Sequence, residues 1–199
     1  VGDGWLAWRQ DTYGQYAEIN AHQDLTRESD RVGIIGGGPG ISTIHAAWQV
    51  GEDGSVTVYE GGNIASMIRE VAQTNHVDDM VQVVEAIVGE ATTLYKGMAD
   101  NVGLIDPTDL PDFDVVEMDC EGSELGILRN LQIRPRVLIV ELHPRLYDGP
   151  NEKPLTLIEE MGYEIAYFTT QLGDRMSRET FKQRLAKGCG DVMVGVMPS

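Results

Sequence analysis

Three glycines at alternate positions, Gly36, Gly38 and Gly40, follow an apolar segment and precede a helical pattern. The dinucleotide fingerprint G-x-G-x-x-G fails in every register, because it would need glycine at Ile41 or at Thr43. A G-x-G-x-G turn lets an adenosine and an amino-acid tail lie against the backbone, whereas the dinucleotide turn cradles a pyrophosphate. The spacing therefore favours S-adenosylmethionine (SAM) over NAD as the ligand.

An acidic residue ends the next apolar segment, since Glu60 lies 20 residues beyond Gly40. Adenosine-binding α/β folds place the acid that accepts hydrogen bonds from both ribose hydroxyls at about this spacing. The alternative for Glu60 is a solvated acid at a strand end. Glu85 and Ala86 lie near the end of a third apolar segment. We predict that Glu60, Glu85 and Ala86 line the cofactor site together with the three glycines.

Two further apolar segments end in polar groups: Asp119 and Glu121 follow one, and Glu141 and His143 end the other. Ligands of open α/β sheets bind outside the carboxyl ends of the strands, so these groups are predicted to meet at one edge. His143 is the first candidate for a general base, because an unperturbed imidazole titrates near neutral pH. Its alternative is a ring that packs on Pro144 and hydrogen-bonds a backbone carbonyl.

Asp119 is the second candidate for removing a proton from a substrate, and Glu141 is the third catalytic candidate. Asp119 could instead bind the amino group of SAM, as a cofactor residue, or fix the tautomer of His143. Together with Glu121, these side chains could hold Mg²⁺ or another divalent ion, since oxygen-rich ligand sets suit such ions. They come from two strand ends, and the sequence spacing does not establish that these ends converge. We therefore predict no metal site.

The elements that must position these groups alternate between strand and helix patterns, which is typical of a mainly parallel sheet between two helix layers. The last two strands are joined by an excursion that contains a helix near Arg178–Ala186. The predicted strands are Val32–Ile35, Ser55–Glu60, Val81–Val88, Val115–Met118, Val137–Leu142, Tyr163–Phe168 and Asp191–Met197.

The first helix is predicted to bury Ile41, Ile44 and Trp48, which recur at i, i+3 and i+7. Asn63 and Ser123 are predicted to cap later helices, because their side chains can accept hydrogen bonds from free backbone N–H groups. Three other histidines receive no role, since they fall on predicted helix or loop surfaces: His22, His45 and His76.

The chain is predicted to form a single domain over residues 1–199. Its first 30 residues are polar and rich in aromatic side chains, with Trp5, Trp8, Tyr13 and Tyr16 spaced by three to five. This spacing predicts a short helix packed on the edge of the domain. We interpret it as a cover rather than a lid, because aromatic residues at helical spacing usually serve packing.

The chain is strongly acidic, with 32 acids, 15 bases and a formal net charge of −17. Such a surface repels phosphates, so nucleic acid is not expected as a partner. Only four of the bases are lysine, and high salt would screen the repulsion among the acids. We predict a halophilic protein of a salt-adapted cytoplasm, with an ordinary acidic bacterial protein as the alternative.

No apolar run approaches the ~20 residues of a membrane span, so no membrane partner is expected. Cys120 and Cys189 lack C-x-x-C spacing. We therefore expect free thiols in a reducing compartment.

Two blocks of the sequence carry a resemblance to a known family. Residues 119–131 read DCEGSELGILRNL, and residues 137–144 read VLIVELHP. They resemble the D-x-E-G-x-E and h-h-h-E-h-H-P blocks of FkbM-type SAM-dependent methyltransferases, where h is an apolar residue. With the glycine turn and Glu60, the similarity runs from about Val32 to Phe168.

The resemblance implies a Rossmann-like class I methyltransferase, which is a three-layer α/β sandwich. Its doubly wound, mainly parallel sheet would have seven strands and an antiparallel C-terminal strand. The resemblance also implies SAM as the methyl donor and a hydroxyl group of a small molecule or glycan as the acceptor. It carries over the three glycines and Glu60 as cofactor residues, and it places four residues at the lip of the acceptor site: Asp119, Glu121, Glu141 and His143.

The chain departs from the family pattern at two places. The acid that usually stands two residues before the first glycine is Ile34, and Gly61-Gly62 replaces a proline-containing turn after Glu60. A non-catalytic protein that keeps the fold is therefore one alternative, and an NAD-dependent oxidoreductase is a second that the glycine spacing disfavours. The sequence leaves a homodimer open.

Overall fold

The computed structural model of the protein describes residues 15–90, 102–147 and 149–198 and contains a large mixed sheet and a smaller two-stranded sheet. The strands are β1 (Arg31–Ile35), β2 (Ser55–Tyr59), β3 (Val81–Val84), β4 (Ala86–Val88), β5 (Gly103–Ile105), β6 (Val115–Met118), β7 (Val137–Glu141), β8 (Glu164–Thr170), β9 (Arg175–Met176) and β10 (Asp191–Val196). The helices are α1 (Tyr16–Leu25), α2 (Ile41–Val50), α3 (Ala65–Thr74), α4 (Glu124–Asn130), α5 (Lys153–Glu160) and α6 (Arg178–Ala186), and short 3₁₀ turns cover Pro107–Asp109 and Pro144–Leu146.

The strands of the large sheet follow the order β3-β2-β1-β6-β7-β10-β8-β9. β1 pairs in parallel with β2 and β6, and β6 pairs in parallel with β7. The chain order reverses between β1 and β6, and doubly wound sheets bind ligands at such a switch point. β10 runs antiparallel to both β7 and β8. The predicted α/β fold with an antiparallel C-terminal strand is confirmed.

The large sheet has eight strands within the described residues, so the predicted count of seven is wrong. The additional strand is β9, whose two residues pair with the end of β8. Gly173 turns the chain back between these strands at a φ of 88°, a left-handed conformation that glycine adopts without strain. Two residues are too few to leave an alternating pattern in a sequence, so this edge strand could not be predicted.

The third predicted strand, Val81–Val88, is divided in the structure. Val81–Val84 pair with β2, whereas Ala86–Val88 pair with β5 in a separate two-stranded sheet. Glu85 stands at the change of partner, and its carboxylate forms an exposed ion pair with Arg69 at 2.7 Å. A continuous apolar run does not reveal which strand each half pairs with, which explains the wrong boundary.

Helices cover both faces of the sheet, because successive residues of a strand point to opposite layers. Ile34 packs into the core covered by α1, α2 and α3, and Ile35 packs into the core covered by α4, α5 and α6. The helix predicted near Arg178–Ala186 has these bounds as α6. Its Phe181 stacks on Phe168 of β8, with ring centroids 4.2 Å apart.

α2 buries Ile41 and Ile44 as predicted, but the prediction for Trp48 is wrong, because this side chain is 45% exposed. α2 packs against α1 as well as against the sheet. Its buried face is therefore wide and includes small residues such as Ala47. Trp48 lies at the border of this face with its ring edge-on to that of His45, the centroids 5.1 Å apart.

The two predicted caps do not form. α3 begins after Ile64, and Asn63 is exposed. Ser123 does precede α4, but its hydroxyl donates to the carbonyl oxygen of Glu90 instead of capping the helix. Asn63 lies one residue before the cap position, which Ile64 occupies. Ser123 was misassigned because a side chain that can cap a helix can equally well bond to a neighbouring loop.

The predicted N-terminal cover contains α1, whereas Trp5, Trp8 and Tyr13 lie outside the described residues. α1 packs on α2 and on β7 and β10. Its small residues Ala17 and Ala21 are fully buried and allow a close approach to the sheet. Every helix in the described ranges is too short or too polar to cross a membrane.

Candidate functional site

The glycine turn leaves β1 in a conformation that other residues rarely adopt. Gly36, Gly38 and Gly40 have φ values of 85°, 49° and 85°, in the left-handed region that glycine reaches at no steric cost. A Cβ atom on Gly36 would overlap the backbone carbonyl oxygen of Asp119 at the end of β6. Glycine at position 36 is therefore required for the ends of β1 and β6 to lie side by side.

Glu60 follows β2 and closes against this turn. Its carboxylate accepts hydrogen bonds from the backbone N–H groups of Gly38 at 3.2 Å and Gly62 at 2.5 Å. The side chain is buried, and this burial raises the pKa of Glu60 despite the two bonds. A proline at position 62 would lack the donating N–H group, which gives a physical reason why this position of the turn after Glu60 is not proline.

A small, mostly apolar pocket opens beside Glu60 at the ends of the central strands. Nine residues line it: Ile35, Gly36, Tyr59, Gly61, Ala86, Ile87, Val88, Cys120 and Ser123. Ala86 therefore lines this pocket, and its contact with a cofactor stays a prediction. The side chain of Glu85 is not part of the lining, since it turns outward to Arg69 and is 61% exposed.

The turn after β6 is held by the second glutamate of the D-x-E-G-x-E block, a residue for which the sequence predicts no role. Glu124, the first residue of α4, is fully buried, and its Oε1 atom accepts hydrogen bonds from the backbone N–H groups of Cys120 and Gly122. The same oxygen lies 2.8 Å from Nδ1 of His143. Within this turn Glu121 has a φ of 52°, a strained conformation that is often found at functional sites.

His143 stands at the centre of a group of carboxylates. Its Nε2 atom lies 3.5 Å from Oδ1 of Asp119, 3.6 Å from Oε2 of Glu121 and 3.9 Å from Oε1 of Glu141. Burial alone would lower the pKa of His143, but the hydrogen bond to Glu124 and the nearby negative charges raise it to about 9. The ring is therefore cationic at neutral pH. Its Nδ1 atom bonds to the carboxylate of Glu124, whereas the alternative considered for His143 had it bonded to a backbone carbonyl.

The carboxylates around His143 are themselves perturbed. Burial and the charge of Glu141 raise the pKa of Asp119 well above its usual range, although His143 acts in the opposite direction. Burial likewise raises the pKa of Glu141, whose Oε1 atom accepts a hydrogen bond from the side chain of Gln171. Because like charges crowd here, the cluster favours bound protons or a bound cation.

The ligand atoms of Asp119, Glu121 and His143 lie within 4.8 Å of one another. Two carboxylates and an imidazole form a donor set that divalent cations accept, so the structure supplies the convergence that the spacing could not. In the free protein, however, the protonated imidazole is itself a cation at the centre of the group. The absence of a metal from the site remains a prediction.

A second buried network was missed from the sequence. Glu117 lies inside β6 with no exposed surface, and its two oxygens bond to Nε2 of His22 at 2.6 Å and to the hydroxyl of Ser42 at 2.7 Å. Nδ1 of His22 in turn lies 2.9 Å from the hydroxyl of Thr26. The expectation that His22 and His45 lie on the surface is wrong, because both are buried, whereas His76 is exposed as predicted.

The family comparison covers most of the chain. The sequence model of the methyltransferase FkbM domain matches residues 9–176. No functionally curated protein matches the chain significantly.

Solved structures similar to this one include methyltransferases. An O-methyltransferase from Bacillus cereus in complex with SAH shares 17% identity and a TM-score of 0.53, covering 93% of this chain and 80% of that chain. A SAM-dependent methyltransferase from Aquifex aeolicus shares 14% identity and a TM-score of 0.54, covering 92% of each chain. Precorrin-6y C5,15-methyltransferase from Geobacter metallireducens shares 18% identity and a TM-score of 0.54, covering 92% and 87%.

At these identities the structural likeness shows the fold alone. The family match spans well over half of the chain. The protein therefore belongs to the family of FkbM methyltransferases, whose methyl donor is SAM.

Proposed function

We propose that the protein transfers the methyl group of SAM to a hydroxyl oxygen of a small molecule or glycan. The observation that carries the proposal is the group of carboxylates around the buried imidazole of His143, beside the glycine turn. An imidazole and carboxylates at this place offer proton acceptors to a hydroxyl group bound there.

For the cofactor, we propose that Gly36, Gly38 and Gly40 let SAM lie against the backbone, and that the apolar pocket lined by Ala86 receives the adenine. Glu60 would accept hydrogen bonds from the ribose hydroxyls. An ionised carboxylate offers about four lone-pair sites, so Glu60 can keep its backbone donors and still accept from a diol. Glu85 is not assigned a part in this arrangement, because its side chain turns outward to Arg69.

The reaction is a substitution at the sulfonium methyl group. A lone pair of the acceptor oxygen forms the new C–O bond while the C–S bond breaks, and its electrons stay on sulfur to give S-adenosylhomocysteine (SAH). The hydroxyl proton passes to a base of the protein. Holding oxygen, methyl and sulfur in line contributes several kcal/mol, and a positioned base adds about 10²–10⁴-fold in rate.

His143 is proposed as this base, with Asp119 as the second candidate and Glu141 as the third. Because the pKa of His143 is about 9 in the free protein, the ring must lose a proton before it can accept one. A nearby positive charge lowers the pKa of an imidazole, and SAM brings such a charge. The hydrogen bond to Glu124 would keep a proton on Nδ1 of the neutral ring, so that the unprotonated Nε2 atom faces the acceptor.

Two other functions compete with this proposal. Membership of the FkbM family disfavours an NAD-dependent oxidoreductase, in agreement with the glycine spacing. A non-catalytic protein that only binds SAM is supported by Ile34, which is buried where the family usually has an acid. A methyl-transfer assay separates this alternative from the proposed enzyme.

The assay incubates the protein with radiolabelled SAM and a panel of monosaccharides, phenols and aliphatic alcohols. We expect labelled product from at least one class of hydroxyl compound, with turnover at least tenfold lower for His143→Ala and no loss of SAM affinity. The matched control is His76→Asn, because His76 is exposed and Asn tolerates its left-handed backbone. SAM binding without transfer to any hydroxyl acceptor would contradict the proposal, and unchanged turnover in His143→Ala would remove His143 as the base.

We also propose that the chain works in a salt-adapted cytoplasm. The support is its net charge of −17 with only four lysines, since molar salt screens repulsion among surface acids. The melting temperature should then rise with KCl concentration. A flat or falling curve would contradict this proposal.

A further inference from the structure

Two polar side chains at the start of α1 are buried over the candidate site without a full set of hydrogen bonds. Gln15 is 7% exposed, and its Oε1 atom has no partner among the described residues. Its Nε2 atom lies over the glycine turn, 3.2 Å from where a Cβ atom on Gly38 would stand. Glu18 is 1% exposed, and neither of its carboxylate oxygens has a hydrogen-bond partner in the described part of the chain.

A carboxylate without a donor is among the costliest groups to bury. The charges that act most strongly on Glu18 belong to Glu141, Glu117 and Asp119, and all three are acidic. Together with burial they raise the pKa of Glu18 well above its usual range. In the free protein burial and these charges therefore favour the protonated form of Glu18, and a ligand cation is the other partner that would satisfy it.

The neighbouring strands show why Glu18 is the acid available for this. Ile34, which stands where the family usually has an acid, is paired in register with Glu117 of β6. Both oxygens of Glu117 are already bonded, one to His22 and one to Ser42. Glu18 acts on the same part of the sheet from the helix above it, and the side chain close enough to share a hydrogen with it is that of Glu141, another acid.

SAM carries two positive groups, the sulfonium and the α-ammonium of its methionine part. We propose that Glu18 binds the α-ammonium group and that Gln15 hydrogen-bonds the same amino-acid end across the glycine turn. The inference deepens the proposed function and rests on it for the methyl donor. It gives α1 a role in binding, and not only in covering the edge of the sheet.

Glu18 changes its protonation in this scheme. A proton bound to its carboxyl group would leave for solvent as the ammonium group arrives, so the site exchanges one positive charge for another. The competing arrangement is structural, in which Glu18 and the adjacent Glu141 share one proton and no ligand reaches them. The two arrangements predict different changes in ligand affinity when position 18 carries a neutral residue.

The test is a calorimetric titration of SAM, SAH and 5′-methylthioadenosine into the wild type, Glu18→Gln and Glu28→Gln. 5′-Methylthioadenosine has the adenosine and the sulfur but no amino-acid end. We expect Glu18→Gln to weaken SAM and SAH by about tenfold or more and to leave 5′-methylthioadenosine within about twofold of the wild type. Glu28 is an exposed acid on the loop after α1, and its neutral variant should bind all three ligands as the wild type does.

Two outcomes would overturn the inference. One is unchanged affinity of Glu18→Gln for SAM and SAH, which would leave Glu18 with a structural role. The other is an equal loss for all three ligands, which would show a general distortion of the site. If the wild type binds SAM but methylates no hydroxyl compound, the proposed function fails while the affinity ratios still decide the role of Glu18.

Gln15→Ala provides a second, less disruptive variant if Glu18→Gln folds poorly. The side chain of Gln15 is neutral, so its loss should weaken SAM and SAH by about threefold and spare 5′-methylthioadenosine. Equal affinities of Gln15→Ala and the wild type for SAM would remove Gln15 from the binding site.

Discussion

Glu60 and Glu18 are both buried carboxylates, but they belong to two halves of the site that are built differently. In the half proposed to bind SAM, called the cofactor half and formed by residues 36–40 and 60–62, Glu60 accepts two hydrogen bonds from nearby backbone N–H groups. In the half proposed to bind the methyl acceptor, called the acceptor half and formed by residues 119–124 and 141–143, carboxylates crowd around one imidazole. Glu18 lies beside that crowd with no hydrogen-bond partner in the described residues.

The two halves differ in how far the free protein satisfies its own polar and charged groups. The cofactor half is satisfied by its own turn, so SAM would find it already shaped. The acceptor half contains more negative charge than its single imidazole can neutralise, and burying like charges together is unfavourable. A cationic ligand would relieve this imbalance, whereas an anionic one would increase it.

The largest effect is expected where the two halves touch. Gly36→Ala should lower the free energy of unfolding by about 3 kcal/mol or more, because its Cβ atom would overlap the carbonyl oxygen of Asp119 and its φ is 85°. Gly51→Ala is the matched control, since Gly51 also has a positive φ but nothing within 4 Å. Its cost should be about 1 kcal/mol. Equal urea midpoints for the two variants would show that the ends of β1 and β6 are not so closely apposed.

The acceptor half should make stability depend on pH. The pKa of His143 is about 9 when folded, above the unfolded value of about 6.5, so its stabilisation is complete below pH 6.5 and is lost as the pH rises through 9. The raised pKa values of Asp119 and Glu141 act in the same direction. We expect the free energy of unfolding to fall by about 2 kcal/mol between pH 6.5 and pH 9.

His143→Gln serves as the control in these urea titrations. Its stability should vary less over the same pH range, because the group that gives up the proton is gone. A wild-type curve that rises from pH 6.5 to pH 9 would contradict this account of the cluster.

The variant Glu60→Gln tests the role of Glu60 in binding the ribose. A neutral amide still accepts a hydrogen bond but interacts less strongly with a ribose diol, so affinity should fall by about tenfold. The loss should be equal for SAM, SAH and 5′-methylthioadenosine, since all three carry the ribose. If 5′-methylthioadenosine bound Glu60→Gln as tightly as the wild type, the ribose would lie elsewhere.

The smallest effect is expected from metal removal. Because a protonated imidazole already stands among the carboxylates in the free protein, we expect EDTA to leave methyl transfer unchanged. Addition of Mg²⁺ or Mn²⁺ should likewise change turnover by less than about twofold. Activity lost in EDTA and restored by either ion would show that Asp119, Glu121 and His143 form a metal site.

The contact between the glycine turn and Glu60 could be predicted from the sequence because its geometry is local. The alternate glycines and Glu60 are separated by one strand–turn–helix unit, and this spacing fixes where they meet. Apart from the divided third strand, the predicted strands end within two residues of the observed ones for the same reason, and α6 has its predicted bounds. Glu85 was misplaced because the chain changes its pairing partner at that residue.

The acceptor half could be predicted only in part. Its strand-end residues Asp119, Glu141 and His143 follow from topology, but the orientation of the imidazole depends on Glu124, which approaches from the following helix. The burial of Glu18 and His22 depends on how α1 packs across the sheet. No spacing in the sequence encodes that contact, because these residues lie about 100 positions from Glu117 and Asp119.

We propose that the carboxylates around His143 hold positive charge, first on the imidazole and then shared with SAM. An NMR titration of the His143 ring, assigned by comparison with His143→Gln, measures the pKa that reports this charge. We predict a pKa of about 9 in the free protein and a lower value in the presence of saturating SAM. A pKa near 6.5 that SAM does not move would contradict the account.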